Sequence, residues 1–218
     1  MKILITAFRP FGKRKNNTSQ NVLQSLREFL PQQSSLEPHL LILPVNFHTA
    51  WPILEKVIQN ISPDALLMLG EKGSKHTTLE TTARNRRCHK TGEIEIEKTG
   101  GKKLRTIFDV GRLALALQKK TLKKPRCVVS HDAGSYLCNF VYWKALAHHP
   151  ELPAIFLHVP ALSAENSQRE TPNIVQQVNV LIDAMKKQLH RMQNKVAAQK
   201  QLTVPRQKAG RAKRKKES

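Results

Sequence analysis

The chain has 218 residues, 39% of them apolar, enough for one substantial core and short for two full domains. Its 37 Lys and Arg against 16 Asp and Glu give a formal charge of +21, a field that attracts polyanions. The longest apolar runs, such as Ala65-Leu66-Leu67-Met68-Leu69, fall far short of the roughly 20 residues of a membrane-spanning helix. The apolar opening run ends too soon, at Arg9-Pro10, to be a secretory signal, so a cytoplasmic protein with no membrane partner is expected.

In chain order, Lys2–Phe8 reads as a short buried strand, and Thr18 stands where it can cap a helix whose apolar positions Val22, Leu23, Leu26, Phe29 and Leu30 recur at helical spacing. Pro31 ends that helix, because proline lacks the amide that the next turn needs. A second apolar run, residues 40–45, precedes a helix over Ala50–Ile61, and residues 64–70 form a third strand. Residues 71–106 are polar, and there Glu93-Ile94-Glu95-Ile96-Glu97 has the period-2 alternation of a half-buried strand or hairpin arm. Regular pattern resumes with a helix over residues 108–120, a strand Cys127–Ser130, a helix Leu137–His148 and a strand over residues 154–159 that Pro160 closes. The last helix takes Pro172 into its first turn after Thr171 and lines up Ile174, Val175, Val178, Leu181, Ile182, Met185 and Leu189 on one face, which covers the sheet.

Strands and helices in alternation, with the strands almost continuously apolar, predict an α/β fold: a single domain on a mostly parallel twisted sheet with helices on both faces. From about residue 199 the composition changes to Lys, Arg, Gln, Ala and Gly, with Lys200, Arg206, Lys208, Arg211, Lys213, Arg214, Lys215 and Lys216 opposed only by Glu217. Such a stretch cannot offset its own ordering entropy. The expected division is therefore an α/β domain over residues 1–198 and a disordered basic tail over 199–218, with residues 200–218 available to bind polyanions non-specifically.

Three cysteines, Cys88, Cys127 and Cys138, form no even-numbered disulfide framework. Cys138 falls where a strand has ended, Gly134 permits a tight turn and a helix begins, so unpaired amides and the positive end of the helix dipole there favour a nucleophilic thiolate. A buried cysteine that merely fills space fits the same segment. His158 lies at the end of an apolar strand, where an open parallel sheet builds its site, and serves either as a base or as a structural histidine. Glu80 follows the third strand in a polar stretch read as a loop. All three follow or finish strands of one sheet, so convergence along its C-terminal edge is expected. Cys88-His89 lacks the further ligands that zinc needs, and Gly12-Lys13-Arg14-Lys15 lacks the spacing of a phosphate loop.

Those segments together resemble the pyroglutamyl peptidase I family, the pyrrolidone carboxyl peptidases. Residues 3–12, Ile-Leu-Ile-Thr-Ala-Phe-Arg-Pro-Phe-Gly, look like the family's opening strand and loop. Thr78-Leu79-Glu80 and Ala83-Arg84-Asn85 match the motifs around its catalytic glutamate, while Ser130, Ala133, Gly134, Tyr136, Cys138 and Asn139 match its cysteine motif. Phe156-Leu157-His158-Val159-Pro160 resembles the strand with its histidine.

The resemblance implies that Cys138 attacks, His158 shuttles the proton, Glu80 orients the imidazole, and Phe8 and Phe11 sandwich the substrate's ring. It implies a peptide or small amide with an N-terminal pyroglutamate as substrate, a homo-oligomer (dimer or tetramer) as assembly, and chemistry that needs neither metal nor organic cofactor. A pyroglutamyl lactam is neutral and flat, so aromatic faces bury it while backbone groups bond its amide. Ala7 and Arg9 stand where the family usually has glycine and an acidic or small residue, and residues 70–76 are one residue short of its pattern. These differences keep open a hydrolase of another small N-acyl amide, and the basic surface keeps open a catalytically weakened member that binds nucleic acid or another polyanion.

Overall fold

The computed structural model describes residues 1–30, 35–121 and 126–203. A six-stranded sheet runs through the centre in the order β2-β1-β3-β10-β4-β9. Its strands are β1 (Lys2–Phe8), β2 (Glu37–Leu43), β3 (Ala65–Lys72), β4 (Thr77–Glu80), β9 (Cys127–Ser130) and β10 (Ala154–Pro160). Every neighbouring pair is parallel except β10 with β4, so β4 and β9 run against the other four. The expected mostly parallel α/β sheet is thus present, with a reversed pair at one side.

Two layers of helices cover it. The pleat sends Ile3, Ile5 and Ala7 of β1, Leu67 and Leu69 of β3, and Leu157 of β10 to one face, where they meet α1 (Thr18–Phe29), α3 (Val110–Lys120) and α5 (Ala164–Thr203). Leu4, Phe8, Leu66, Met68 and Phe156 go to the other, under α2 (Ala50–Ile61) and α4 (Leu137–His148). Two short antiparallel pairs, β5 (Thr82–Arg84) with β8 (Lys103–Arg105) and β6 (Arg87–His89) with β7 (Gly92–Ile94), fold the polar middle of the chain.

Several expectations are corrected by the local chemistry. Asn17, not Thr18, caps α1: its Oδ1 accepts from the Ser19 amide at 2.9 Å, while Thr18 Oγ1 accepts from the Leu162 amide at 3.0 Å. Pro31 lies outside the described residues. The second strand begins earlier than the apolar run, because Met1 and β1 pair with it from Glu37 onward. The half-buried arm read at residues 93–97 is strand only as far as Ile94, where β7 is exposed, and Ile96 packs against the core beyond the end of the strand. Proline 172 is inside α5 rather than at its start. The helix begins at Ala164 with Ser163 Oγ accepting from the Asn166 amide, and Pro172 is tolerated on the solvent side. α5 continues to Thr203, past the boundary at 198, and residues 204–218 of the basic tail lie outside the described residues. Among the described residues no helix is long and apolar enough to cross a membrane.

Candidate active site

The stretch read as a loop around Glu80 is β4, an interior strand. Thr77, Thr78, Leu79 and Glu80 are all buried because β10 flanks them on one side and β9 on the other. Its polar side chains hid it from the apolar pattern, and they find partners within the fold: Thr77 Oγ1 donates to Gln177 Oε1 at 2.8 Å, and Thr78 Oγ1 donates to Glu80 Oε1 at 2.9 Å.

Register then explains the site. His158 is the cross-strand partner of Thr78 and Phe156 that of Glu80, so the pleat puts Thr78, Glu80, Phe156 and His158 on one face, the face under α4. On its other side His158 pairs with Gly70, and the register of β1 with β3, carried two residues on, brings Phe8 level with Gly70. Convergence along a shared C-terminal edge is not how the groups meet, because β4 and β9 run the opposite way. The loop after β9 instead travels back over the sheet before α4 begins.

His158 Nδ1 lies 2.8 Å from Glu80 Oε1 with both side chains buried. A carboxylate partner puts the ring proton on Nδ1 and leaves the Nε2 lone pair for other work. Cys138 is the second residue of α4, and its Sγ lies 2.8 Å from where a β-carbon on Gly70 would stand, as does the Phe156 ring at 2.7 Å. Gly70 is the floor on which thiol, ring and imidazole assemble. Among the described residues the thiol makes no hydrogen bond to His158.

Side-chain hydrogen bonds from Asn139 and Tyr142 fix the nucleophile's helix. The buried Asn139 side chain accepts from the Arg84 amide at 2.9 Å and donates to the carbonyls of Arg84 and Arg86 at 2.8 and 2.7 Å. Tyr142 donates to the Glu80 carbonyl at 3.0 Å. In the approach loop, Gly134 adopts the expected left-handed turn, φ 86°, and its amide donates to Asp132 Oδ1 at 3.0 Å. Arg86 grips the same carboxylate at 3.0 and 3.2 Å. Phe140 N to Tyr136 O is the first intrahelical bond of α4, so the amides of Leu137, Cys138 and Asn139 lie ahead of the ladder and point at the nucleophile's end.

The electrostatics differ from the expectation of a resting thiolate. Burial pushes the Cys138 thiol up to about 12, the nearby Glu80 carboxylate adding to it, and outweighs the helix start. Burial also holds His158 below its usual value, against the opposing pull of Glu80. For Glu80 burial acts upward, but its bond to His158, the charge that His158 can carry, a bond from Ser130 and, last, the ammonium of Lys72 hold it below the ordinary carboxylate range. The resting site is thus a neutral thiol, a neutral imidazole and an ionised carboxylate. Cys127 is buried and pushed up to about 11, a packing thiol away from the array.

Of the expected ring-binding residues, Phe8 is 3% exposed at the end of β1, while Phe11 is 40% exposed in the loop that follows. Glu71, which no motif marked, anchors that loop: it pairs with Arg14 and accepts from the Thr18 amide at 2.8 Å, with its side chain only 2% exposed. Lys72 was also unmarked, and its Nζ is 3.5 Å from Glu80 Oε1. A strand residue facing a carboxylate across a sheet leaves no local pattern in a single sequence.

The sequence matches the family model described as pyroglutamyl peptidase over residues 1–190. The pyrrolidone-carboxylate peptidase of Streptococcus pneumoniae (strain 70585) is 26% identical over 204 residues, covering 85% of this chain and 92% of that protein. That of Bacillus subtilis (strain 168) is 24% identical over 186 residues, 79% of this chain and 84% of that one. Among solved structures, the pyrrolidone carboxyl peptidase of Fervidobacterium islandicum AW-1 superposes with a TM-score of 0.75 at 26% identity, covering 86% of this chain and 99% of that one. That of Pyrococcus furiosus gives a TM-score of 0.76 at 23% identity, covering 87% and 100%, and so supports the fold.

Proposed function

The chain belongs to the pyroglutamyl peptidase family of cysteine peptidases, and from that premise we propose that it removes an N-terminal pyroglutamyl residue from peptides with Cys138 as nucleophile, His158 as base and Glu80 as the group that orients it. The observation that carries the reading is the buried 2.8 Å bond between Glu80 and His158 on the face of the sheet where Cys138 sits over Gly70.

With thiol and imidazole both neutral at rest, the proton moves when the substrate is in place. His158 Nε2 takes the proton from Sγ as Sγ attacks the pyroglutamyl carbonyl carbon, and Glu80 stabilises the imidazolium that forms. The oxyanion of the tetrahedral intermediate is met by amides at the start of α4, which the helix leaves without partners. Collapse breaks the carbon–nitrogen bond, with the imidazolium proton going to the departing amine, and leaves a thioester. Water, deprotonated by the same imidazole, then releases pyroglutamate and the thiol. Phe8 and Phe11 hold the lactam between their faces, with Phe11 closing onto the ring from its exposed loop.

Release of a fluorescent amine from a pyroglutamyl arylamide tests this directly. Turnover by the wild-type chain and its loss in Cys138→Ala are expected, and a well-folded wild-type protein without turnover on any pyroglutamyl amide removes the assignment. A panel of other N-acyl amides distinguishes the pyroglutamyl reading from a different N-acyl specificity. The assembly proposed is a homo-oligomer, dimer or tetramer, read by light scattering on the eluting protein.

A further inference from the structure

Lys72 is the last residue of β3, two positions beyond Gly70, so the pleat directs it to the face that carries His158 and Glu80. Its ammonium lies 3.5 Å from Glu80 Oε1, the oxygen that already receives Thr78 at 2.9 Å and His158 at 2.8 Å. The same ammonium donates at 3.4 Å to the carbonyl of Asp132, in the loop that delivers Cys138. One cation therefore bridges the carboxylate of the array and the backbone of the nucleophile loop. Its side chain is 39% exposed, which keeps its charge hydrated, whereas the Glu80 it faces is wholly buried. Glu80 Oε2 is buried, and Ser130, level with Glu80 on β9, helps keep the carboxylate ionised alongside the donors at Oε1.

Resting on the assignment of Cys138, His158 and Glu80 as the catalytic array, we propose that Lys72 is a positioning residue that holds Glu80 against the nucleophile loop and, through its charge, sets the pH range in which the array works. The other charged or titratable groups facing the array are Cys138 and Tyr142 from α4 and Asp132 from the approach loop, while Glu71 of β3 acts on Cys138 from the opposite face of its strand. Glu71 is balanced by Arg14, and Asp132 by Arg84 and Arg86. The ammonium lowers the proton affinity of Glu80, His158 and the Cys138 thiol alike. Its loss therefore moves the acid limb of kcat/KM, which reports deprotonation of His158, to higher pH. The thiol moves the same way.

The test compares wild type with Lys72→Met, Lys72→Gln and Lys72→Arg by two readouts: the pH profile of kcat/KM on an uncharged pyroglutamyl arylamide, and the pH dependence of iodoacetamide alkylation at Cys138, followed by peptide mass mapping. In Lys72→Met and Lys72→Gln both profiles are expected to shift to higher pH, with alkylation at neutral pH slowed on the order of threefold or more. Lys72→Arg keeps the wild-type profile. Superposable profiles in all four proteins overturn the proposal, as does an equal shift in Lys72→Arg, which would mean that shape matters rather than charge. Because alkylation needs no substrate, a chain that turns over no pyroglutamyl amide removes the peptidase assignment, while its alkylation profile still decides the role of Lys72.

Discussion

Replacing Gly70 by alanine puts one methyl group at the point where the array assembles. The added β-carbon would stand 2.7 Å from Phe156 Cζ, 2.8 Å from its neighbouring ring carbon and 2.8 Å from Cys138 Sγ. Ordinary carbon contacts begin near 3.5 Å, so the ring or the sulfur must withdraw by about 0.7 Å. Phe156 cannot yield freely: it is fully buried, with Tyr142 at 5.7 Å and His158 at 4.7 Å between ring centroids. Overpacking of this kind costs about 1–3 kcal/mol, or roughly 2–12 °C in melting temperature for a domain of this size. Displacement of a nucleophile by nearly 1 Å costs about 100-fold in rate. Gly70→Ala is therefore expected to lower kcat/KM on a pyroglutamyl arylamide by about two orders of magnitude while melting a few degrees early. Gly73→Ala is the control, because nothing lies within 4 Å of its β-carbon position and it should behave like wild type. Gly70→Ala activity within twofold of wild type, with an unchanged melting temperature, would refute the placement of Cys138 over Gly70.

Glu80→Gln removes the group that raises the proton affinity of His158, so the acid limb of kcat/KM should move to lower pH while kcat falls about 10²- to 10⁴-fold; an unmoved limb contradicts the pairing. Stability should also depend on pH through this pair. His158 is held below its unfolded value of 6.5 and Glu80 below 4.5, so on acidification the unfolded chain takes up protons first. Melting temperature should be level above about pH 6.5 and decline below it, and a rise on acidification would reverse the assigned signs. Asn139→Ala breaks three hydrogen bonds between α4 and residues 84–86 and should cost about 3 kcal/mol in urea unfolding. If the basic tail binds polyanions, removing residues 200–218 leaves arylamide turnover unchanged and weakens salt-sensitive binding to a nucleic acid; absent or salt-independent binding by the full chain counts against that reading.

Strands β1, β3 and β10 were legible as short, almost continuously apolar runs with clear stops, α2 as an amphipathic helix, and α4 as a longer apolar stretch buried nearly all round. Cys138 and His158 were legible for the same reason, one at a helix start after a turn glycine, the other near the end of an apolar strand. Glu80 was found by its motif, but its surroundings were misread, because Thr77-Thr78-Leu79-Glu80 is short, polar and buried only by virtue of its neighbours on both sides. The reversal of β4 and β9 is set by the path of residues 72–77, which turn back within a few residues, and no periodicity records such a turn. Lys72 and Glu71 illustrate the remaining gap. Consecutive residues of one strand face opposite layers, Glu71 serving the loop with Phe11 and Lys72 serving Glu80, and in the sequence they read only as a charged pair after an apolar run.

The central claim is that Cys138 carries the acyl group in an amide hydrolysis oriented by Glu80 and His158. Its most direct test is acid-quenched mass spectrometry of enzyme mixed with a pyroglutamyl arylamide, with the adduct mapped by proteolysis. A pyroglutamyl thioester on the peptide containing Cys138, formed as the amine is released and absent in Cys138→Ser, is the predicted result. Amine release that persists in Cys138→Ser would contradict it.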